Sequence, residues 1–382
     1  MSQARFIDRD EPLRQLCAEL AGCEWIAVDT EFLRERSYRP ELCLIQLATP
    51  EVVACVDPLA VNLDPLLDLL YDERTTKVFH AASQDLEIFH CLRGQPPQPV
   101  FDTQLAAPLL GHDEQMGYAR LVQAVLGVEL AKAHSRTDWS RRPLSDAQLG
   151  YAADDVVYLA QLYPRMRDEL QSLGRLDWLA PEFAALVEPV RYDKPLEDLW
   201  QKLRGVERLR GDSLAIAQEL AAWRECAARD ANLPRNWVMK DDALLDIARL
   251  KPADDDELAR IRSLSDGARK RHAAALLQLV RDCAGRQPRP LPRRRKGKPS
   301  AAQEAVLALL EAVVQQRATE HDINPAQLAP RRELERMLRS GDGSLVEPGW
   351  RQRLVGAELR RVLDGDCRLW VANGCLQIDA VK

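Results

Sequence analysis

Short apolar runs separated by turn-forming residues predict five strands in the first third of the chain. Each run is four to six residues long, which is typical of buried strands. The first three runs are closely spaced and predict a meander, whereas each of the last two leads into a helical pattern. The strands are predicted at 24–29, 43–48, 52–57, 77–80 and 99–102.

Helical periodicity follows these strands. A helix is predicted from Ser83, and residues 103–173 are helical in pattern around a polar loop at 131–143. Ser145 begins a capping box, which marks the start of the last long helix. Strands that alternate with helices after an early meander predict a mixed α/β domain over residues 1–175.

The rest of the chain predicts two small all-α domains joined by a linker. Residues 176–200 form a connector, and residues 201–285 are helical in pattern. The stretch 286–300 (RQPRPLPRRRKGKPS) has four prolines, seven basic residues and no acid, which is typical of a semi-extended linker. Residues 301–382 are helical again up to a hairpin at 369–378 that an Asn-Gly pair turns. The similar size of the two helical segments suggests a diverged repeat.

The charge is unevenly distributed along the chain. The net charge of −6 combines −14 over residues 1–200, +9 over 201–300 and −1 over 301–382. An acidic first half repels a polyanion unless cations neutralise part of it, and a basic middle attracts one. The asymmetry favours metals in the first half and nucleic-acid contact in the second, although an accidental drift of surface charge explains it equally well.

The composition excludes several classes of protein. No apolar stretch reaches the length of about 18 residues that a transmembrane helix needs, and the first residues lack the apolar run of a signal peptide. The nine cysteines form no Cys-x-x-Cys pair, so we expect reduced core thiols in a cytoplasmic protein rather than disulfides or a zinc site.

Four carboxylates and a tyrosine are the candidates for chemistry. Asp29 and Glu31 are two apart on a predicted strand, which places both on one face. Asp85 lies near the start of the helix after 77–80, and Tyr151 and Asp155 share one face of the next long helix. Each has an ordinary alternative: a solvated strand end, a helix-start acid, or a buried tyrosine beside a surface acid.

Taken together, these residues suggest a two-metal phosphodiesterase. Carboxylate oxygens are ligands for Mg²⁺ or Mn²⁺. Two such ions about 3.5–4 Å apart can hold the attacking and leaving oxygens of a phosphodiester displacement. Tyr151 beside the attacking water either orients it or takes its proton, and free tyrosine titrates near 10, so a neutral role is at least as plausible.

The order Asp-x-Glu, Asp, Tyr-x-x-x-Asp resembles the three motifs of the DEDD exonuclease superfamily, tyrosine variant, and is similar above all to the ribonuclease D family. A second stretch resembles the helicase-and-ribonuclease-D C-terminal (HRDC) domain. The family-like stretches are VDTEFLRERSYRPELCLIQLAT (28–49), KVFHAASQDLEIF (77–89), FDTQLAAPLLG (101–111), TDWSRRPLSDAQLGYAADDVVYLAQLY (137–163) and, for HRDC, ARDANLPRNWVMKDDALLDIARLKP (228–252).

The resemblance implies a ribonuclease-H-like fold for the first domain, an HRDC domain at 201–285 and a second, diverged HRDC-like domain at 301–382. It implies 3′→5′ removal of nucleoside 5′-monophosphates from RNA, including precursors of transfer RNA. It places Asp29, Glu31, Asp85 and Asp155 as ligands of two divalent cations, Mg²⁺ or Mn²⁺, with Tyr151 beside them. We expect a monomer without a membrane or nucleotide-cofactor partner.

Candidates for contact with RNA flank these motifs. Aromatic and apolar side chains after Glu31 can stack on terminal bases, and an alternating basic and aromatic stretch follows them, for which phosphate contact and a solvated edge are equally plausible. Two more residues precede the Tyr151 helix and are expected to shape the RNA entrance. The candidates are Phe32, Leu33, Arg34, Arg36, Tyr38, Trp139 and Arg142. His80 and His134 could be ligands, but we interpret them as satisfied histidines near the core.

Two other functions remain open on the sequence. The same site can serve a DNA 3′→5′ exonuclease, because only a contact to the 2′-OH distinguishes RNA. A catalytically silent RNA-binding scaffold is the second, although all five site residues are present. The chain has no G-x-x-x-x-G-K-[ST] motif, which argues against an ATP-driven helicase of that type.

Overall fold

The structure, a computed structural model, describes residues 4–130, 137–291 and 298–381. His134, part of the polar loop and most of the basic run in the 286–300 linker lie outside the described residues. Among the described helices, none is both long and apolar enough to cross a membrane.

A six-stranded mixed sheet forms the centre of the first domain. Its order is β1-β4-β3-β2-β5-β6. Strands β2, β3 and β4 are antiparallel neighbours, whereas β1 pairs with β4, β2 with β5 and β5 with β6 in parallel. The strands are β1 (Arg5–Ile7), β2 (Trp25–Leu33), β3 (Glu41–Ala48), β4 (Val53–Val56), β5 (Thr76–Phe79) and β6 (Val100–Asp102).

The predicted meander and the two later parallel strands are confirmed, with one difference at β2. This strand continues to Leu33 instead of ending at Asp29, because β3 pairs with it along this whole stretch. Asp29 and Glu31 therefore both lie inside a paired strand. Strand β1 was not predicted, since three residues are too few to show a period.

Helices cover both faces of the sheet. One face packs against α6, whose predicted capping box at Ser145 is confirmed. The other face packs against α1, α2 and α3, of which only α3 was predicted. The helices of this domain are α1 (Asp10–Leu20), α2 (Asp64–Leu70), α3 (Ser83–Arg93), α4 (Thr103–Ala106), α5 (Tyr118–Leu126) and α6 (Asp146–Ser172), with a 3₁₀ turn at Ala107–Leu110.

The connector is a packed segment rather than a free linker. Leu186 is buried in the core of the first domain, and Trp200 is buried in the core of the second. The connector thus joins two cores at fixed points. It consists of α7 (Ala180–Leu186) and 3₁₀ turns at Leu176–Leu179, Pro189–Arg191 and Leu196–Lys202, and a further turn at Val206–Arg208 begins the second domain.

The second domain is a small helical unit with its own core. Its buried apolar residues form a cluster separate from the other two clusters of the molecule. The helices are α8 (Gly211–Asp230), α9 (Arg235–Val238), α10 (Asp241–Leu250), α11 (Asp255–Ala259) and α12 (Asp266–Asp282).

The third domain repeats the backbone hydrogen bonds of the second at a constant spacing of ninety residues. Leu233 N–H donates to the Ala228 carbonyl at 2.9 Å, and Ile323 N–H donates to the Ala318 carbonyl at 3.0 Å. Four more bonds of the second domain have a counterpart ninety residues later. Written as N–H donor to carbonyl acceptor, they are Trp237 to Pro234 (counterpart Gln327 to Asn324), Met239 to Arg235 (Ala329 to Pro325), Leu244 to Lys240 (Leu334 to Pro330) and Lys251 to Ile247 (Gly341 to Met337).

After this repeat the third domain takes its own course. A π-helical turn leads directly into the last helix, α16, and the predicted hairpin follows that helix. Asn373 and Gly374 both have positive φ, as a two-residue hairpin turn requires. Its elements are α13 (Ala301–His321), α14 (Pro325–Leu328), α15 (Arg331–Ser340), the turn Gln352–Gly356, α16 (Ala357–Leu363), β7 (Cys367–Ala372) and β8 (Cys375–Ala380).

The third domain shares a core with the first. A single cluster of buried apolar residues runs from the α6 face of the sheet to α13 and α16. Trp178 and Trp350 stack across this boundary with ring centroids 4.8 Å apart. The Arg175 guanidinium donates to the carbonyls of Leu109, at 2.7 Å, and His321. The two domains therefore form one hydrophobic unit, to which the second domain is attached.

Candidate active site

Strand β2 carries the two acids of the first motif toward helix α6. Asp29 is paired with Gln46 and Glu31 with Leu44 on β3, and a bulge follows between Glu31 and Phe32. Residues two apart on a strand share a face. Both carboxylates therefore point to the side of the sheet that α6 covers.

Helix α6 completes a cluster of three carboxylates. One oxygen each of Asp29, Glu31 and Asp155 lie within 4.8 Å of one another. The cluster opens into a pocket of about 230 Å³. The pocket is lined by Asp29, Thr30, Glu31, His80, Tyr118, Tyr151, Asp155 and Leu159.

Burial and mutual repulsion raise the pKa values of these carboxyls. Burial, followed by the charge of Asp155, raises the pKa of Asp29 to about 8. Burial, followed by the neighbouring acids, raises the pKa of Glu31 to about 9, and burial raises that of Asp155 to about 7. Ionised together, they need a cation, and carboxylate oxygens are the donors that Mg²⁺ and Mn²⁺ prefer. The donor set fits a divalent metal.

Asp85 lies directly beside this cluster but is not one of its three converging acids. It is 6 % exposed, and its Oδ1 accepts a hydrogen bond of 2.6 Å from the Thr30 hydroxyl. Burial and then the charge of Asp29 raise its pKa well above the usual value, and the bond from Thr30 opposes that rise. Thr30 is the residue between the two acids of β2, so it connects Asp85 to them.

Tyr151 shares the pocket as a neutral hydroxyl. Burial, followed by the charges of Asp155 and Glu31, raises its pKa to about 12. Its ring is stacked on Trp139 with centroids 6.4 Å apart and planes inclined by 28°. Trp139 is 3 % exposed, so the structure places it in the core behind the tyrosine and not on an RNA-facing surface.

Arg142, the other residue expected at the RNA entrance, is engaged within the protein. It donates to both carboxylate oxygens of Asp57 at 2.5 and 2.6 Å and to the Cys43 carbonyl at 2.7 Å. These bonds tie the segment before α6 to strands β3 and β4. Arg142 also donates to the Trp139 carbonyl at 2.7 Å, so it holds Trp139 in position.

Four of the RNA-contact candidates line one groove next to the site. Phe32, Leu33, Arg34 and Arg36 face a space of about 1030 Å³. Phe32 packs toward the core beneath α3, and Leu33 toward the core beneath α6. As the alternation of strand residues predicts, the two lean to opposite sides.

Tyr38 lies at the boundary with the second domain instead. Its hydroxyl donates to Glu225, and the Arg235 guanidinium covers its ring at 5.0 Å from the centroid. Arg229 also approaches the ring, at 5.8 Å. Tyr38 therefore helps to seat the second domain against the first.

Four lining residues of the pocket were not anticipated as part of the site: Thr30, His80, Tyr118 and Leu159. His80 Nδ1 shares a hydrogen bond of 3.0 Å with the Thr103 hydroxyl, and its buried Nε2 has no hydrogen-bond partner in the protein. Tyr118 packs against the His80 ring at 5.5 Å. The one available signal was that His80 ends the predicted strand at 77–80, at the same edge of the sheet as the acids.

Two family models match the first two domains of the chain. A family model described as 3′-5′ exonuclease matches residues 4–171. A second model, described as HRDC domain, matches residues 213–280. The first range contains all five motif residues, and the second contains helices α9, α10 and α11.

Relatives match the chain along its whole length. Ribonuclease D of Sphingobium indicum is 41 % identical, with 98 % of each chain covered, and ribonuclease D of Granulibacter bethesdensis is 38 % identical, with 97 % of this chain and 96 % of its own covered. The crystal structure of Escherichia coli RNase D, described as an exoribonuclease involved in structured RNA processing, superposes with a TM-score of 0.77 at 32 % identity, covering 95 % of this chain and 99 % of its own. The chain therefore belongs to the ribonuclease D family of 3′-5′ exoribonucleases.

Proposed function

We propose that the chain releases nucleoside 5′-monophosphates from RNA 3′ ends by a two-cation hydrolysis of the tyrosine variant. The observation that carries the proposal is the convergence of Asp29, Glu31 and Asp155 within 4.8 Å in one pocket with Tyr151. Asp85 is the fourth acid, set beside them by Thr30.

These four carboxylates are the residues that would hold two divalent cations, Mg²⁺ or Mn²⁺. When bound, such cations activate the attacking water and neutralise charge on the leaving 3′ oxygen. The carboxylates contribute negative charge and hard oxygen donors. Burial also strengthens each electrostatic contact in the site.

The Tyr151 hydroxyl orients the attacking water by a hydrogen bond. Without bound cations, burial and the neighbouring acids raise the pKa of Tyr151 to about 12, and this supports a neutral hydroxyl over a tyrosinate base. The stacked Trp139 ring restricts the rotation of Tyr151. A fixed hydroxyl holds the water in line with the phosphorus, which is how positioning lowers a barrier.

Two features of the fold support the domain assignments on which the proposed substrate depends. The ninety-residue spacing of backbone hydrogen bonds supports a second, diverged HRDC-like copy over 301–382. The order of the five strands β4-β3-β2-β5-β6 supports the ribonuclease-H-like assignment. Small RNAs with single-stranded 3′ ends, precursors of transfer RNA among them, are the substrates we propose.

We further infer a cytoplasmic monomer that acts without a nucleotide cofactor. All nine cysteines lie in the described part of the chain, and none forms a disulfide. Most are partly or fully buried, and burial raises the pKa of thiols such as Cys43 and Cys55. Unpaired, protonated thiols are what a reducing compartment maintains.

The test uses 5′-labelled RNA and a matched DNA, each with a single-stranded 3′ tail. Wild type is compared with Asp155→Ala in Mg²⁺, Mn²⁺ and EDTA. We expect a ladder of shortening RNA that EDTA and the substitution abolish. Equal shortening of DNA would withdraw the preference for RNA, and binding without any shortening would support the scaffold alternative. Retained turnover in Asp29→Ala would contradict the two-cation mechanism.

A further inference from the structure

A groove lies between the first domain, the connector and the second domain. It has a volume of about 290 Å³, and we call it the connector groove. Six cationic side chains line it, against only two acidic ones, Glu87 and Glu225. The excess of positive charge is unusual in a chain with a net charge of −6. The cations are Arg34, Arg191, Lys194, Lys202, Arg229 and Arg235.

Three of these cations have acidic partners. Arg34 pairs with Glu87, with one hydrogen bond at 2.7 Å. Glu225, whose side chain is 2 % exposed, is shared by Arg229 and Arg235. The first pair lies within the first domain and the other two within the second, and together they use up both acids that line the groove.

The other three cations have no acidic partner among the described residues. Arg191 donates to the Ser83 hydroxyl at 3.0 Å. Lys194 and Lys202 are exposed and lie next to each other; burial and then the proximity of Lys194 lower the pKa of Lys202. Two adjacent ammonium groups repel each other, and an anion between them would remove that repulsion.

The groove begins where the candidate active site ends. Ser83 and Gln84, which line it, are the first residues of α3, immediately before Asp85. Arg34 follows Glu31 by three residues, roughly 10 Å along an extended chain. Arg34 and Arg235 also line two adjoining cavities of about 400 and 300 Å³. The basic surface is therefore a continuous path and not an isolated pocket.

We infer that the connector groove binds the phosphodiester backbone of RNA upstream of the 3′ nucleotide, with Lys194 and Lys202 contacting one phosphate. The inference rests on the proposed function, because it assumes that a 3′ end occupies the carboxylate site. Phosphate contacts position a strand without reading its sequence. A site of this kind lets the enzyme hold the strand after each nucleotide leaves.

The test compares wild type with the double variant Lys194→Ala/Lys202→Ala. In EDTA, we expect the affinity for a single-stranded oligouridine of about ten nucleotides to fall roughly tenfold. The plot of the logarithm of the association constant against the logarithm of salt concentration should become shallower by about 0.7 to 1.4. Turnover of a dinucleotide in Mg²⁺ should equal that of wild type, since it is too short to reach the groove.

Arg9→Ala/Arg14→Ala is the matched control. It removes the same charge from exposed ion pairs at helix α1, which packs against α2 on the sheet face opposite α6. An equal weakening in the control, an unchanged salt slope in the groove variant, or loss of dinucleotide turnover would each overturn the inference. If wild type shortens neither RNA, the proposed function itself fails, whatever the variants do.

A second inference rests on a separate observation at β3. Gln46 is fully buried, and neither its Nε2 nor its Oε1 has a hydrogen-bond partner. It is paired directly with Asp29 across the antiparallel strands, so the two side chains emerge on the same face with Cβ atoms about 4.5–5.5 Å apart. An amide left unsatisfied in a core is costly.

We propose that Gln46 is a positioning residue whose Nε2 donates to the Asp29 carboxylate when a divalent cation is bound, a hydrogen bond that this structure does not contain. Gln46→Met keeps the length of the side chain and removes both orphaned polar groups. We expect an equal or higher melting temperature in EDTA, together with about tenfold weaker binding of Mn²⁺ measured calorimetrically. A purely structural amide would show the opposite pattern: a lower melting temperature with unchanged Mn²⁺ affinity. Unchanged Mn²⁺ affinity at any melting temperature would overturn the assignment.

Discussion

The indole ring of Trp139 is stacked on the phenol ring of Tyr151, with 6.4 Å between centroids. Trp139 lies in the segment before α6, and Tyr151 lies in the second turn of that helix. The stack joins the two, and Tyr151 lines the same pocket as the carboxylates. We therefore propose that Trp139 acts on the site through Tyr151 and not by touching RNA.

We expect Trp139→Leu to lower kcat by about 10- to 100-fold while KM stays within about twofold, because misplacing a reacting group costs rate more than binding. Tyr151→Phe should also slow cleavage and leave RNA binding nearly unchanged. In the double variant the two effects should be less than additive, since they remove one function.

Trp25→Leu is the control for loss of a packed indole in the same core. Its ring packs on Tyr163 at 5.0 Å, away from the carboxylates. It should lower the melting temperature without the kinetic effect. Full additivity of Trp139→Leu and Tyr151→Phe would show that the stack does not act through the hydroxyl.

Thermal stability without metal should fall as the pH rises from about 4 to 9. Folding raises the pKa of Asp29 from 3.8 to about 8 and that of Glu31 from 4.5 to about 9. The folded state therefore binds more protons than the unfolded state in this window, so its stability decreases with pH. Melting curves in EDTA should show a steeper fall for wild type than for Asp29→Asn.

Mg²⁺ should restore stability at the alkaline end of this window, because a cation binds the ionised carboxylates of the folded state. Asp29→Asn should gain less from Mg²⁺ than wild type. Equal pH dependence in the two proteins would mean that these carboxyls are not mutually repelling in solution.

Thr30→Val tests the connection between Asp85 and the acids of β2. The substitution keeps the shape and removes a 2.6 Å hydrogen bond that favours the ionised form of Asp85. We expect the Mg²⁺ concentration for half-maximal turnover to rise about tenfold, with kcat at saturating Mg²⁺ largely kept. Thr75→Val removes a comparable buried hydroxyl, which donates to the Cys23 carbonyl at 2.9 Å, and should leave the Mg²⁺ requirement unchanged.

Trp350→Ala tests the shared core of the first and third domains. Trp350 is 7 % exposed and stacks on Trp178, so we expect a loss of about 3 kcal/mol of unfolding free energy. Trp370→Ala, on the outer hairpin and 44 % exposed, should cost less than about 1 kcal/mol. Denaturant titrations give both values, and equal losses would contradict a common core.

Local patterns in the sequence determined much of this molecule. Apolar runs located the strands β2 to β6, a capping box located the start of α6, and Asn373-Gly374 located the hairpin turn. Spacing placed Asp29 with Glu31 and Tyr151 with Asp155 on common faces. These features depend on residues close together along the chain, where a period of two or of 3.6 is visible.

The features that depend on contacts between distant segments were decided only by the tertiary structure. The burial of Trp139, the anchoring of Arg142 by Asp57 and the seating of Tyr38 beneath Arg235 each join segments far apart in sequence, and no local period reports such partners. The merging of the first and third cores has the same origin, because an apolar helix face shows that it is buried but not what covers it. For the same reason the connector groove appears only once the three segments that line it are folded together.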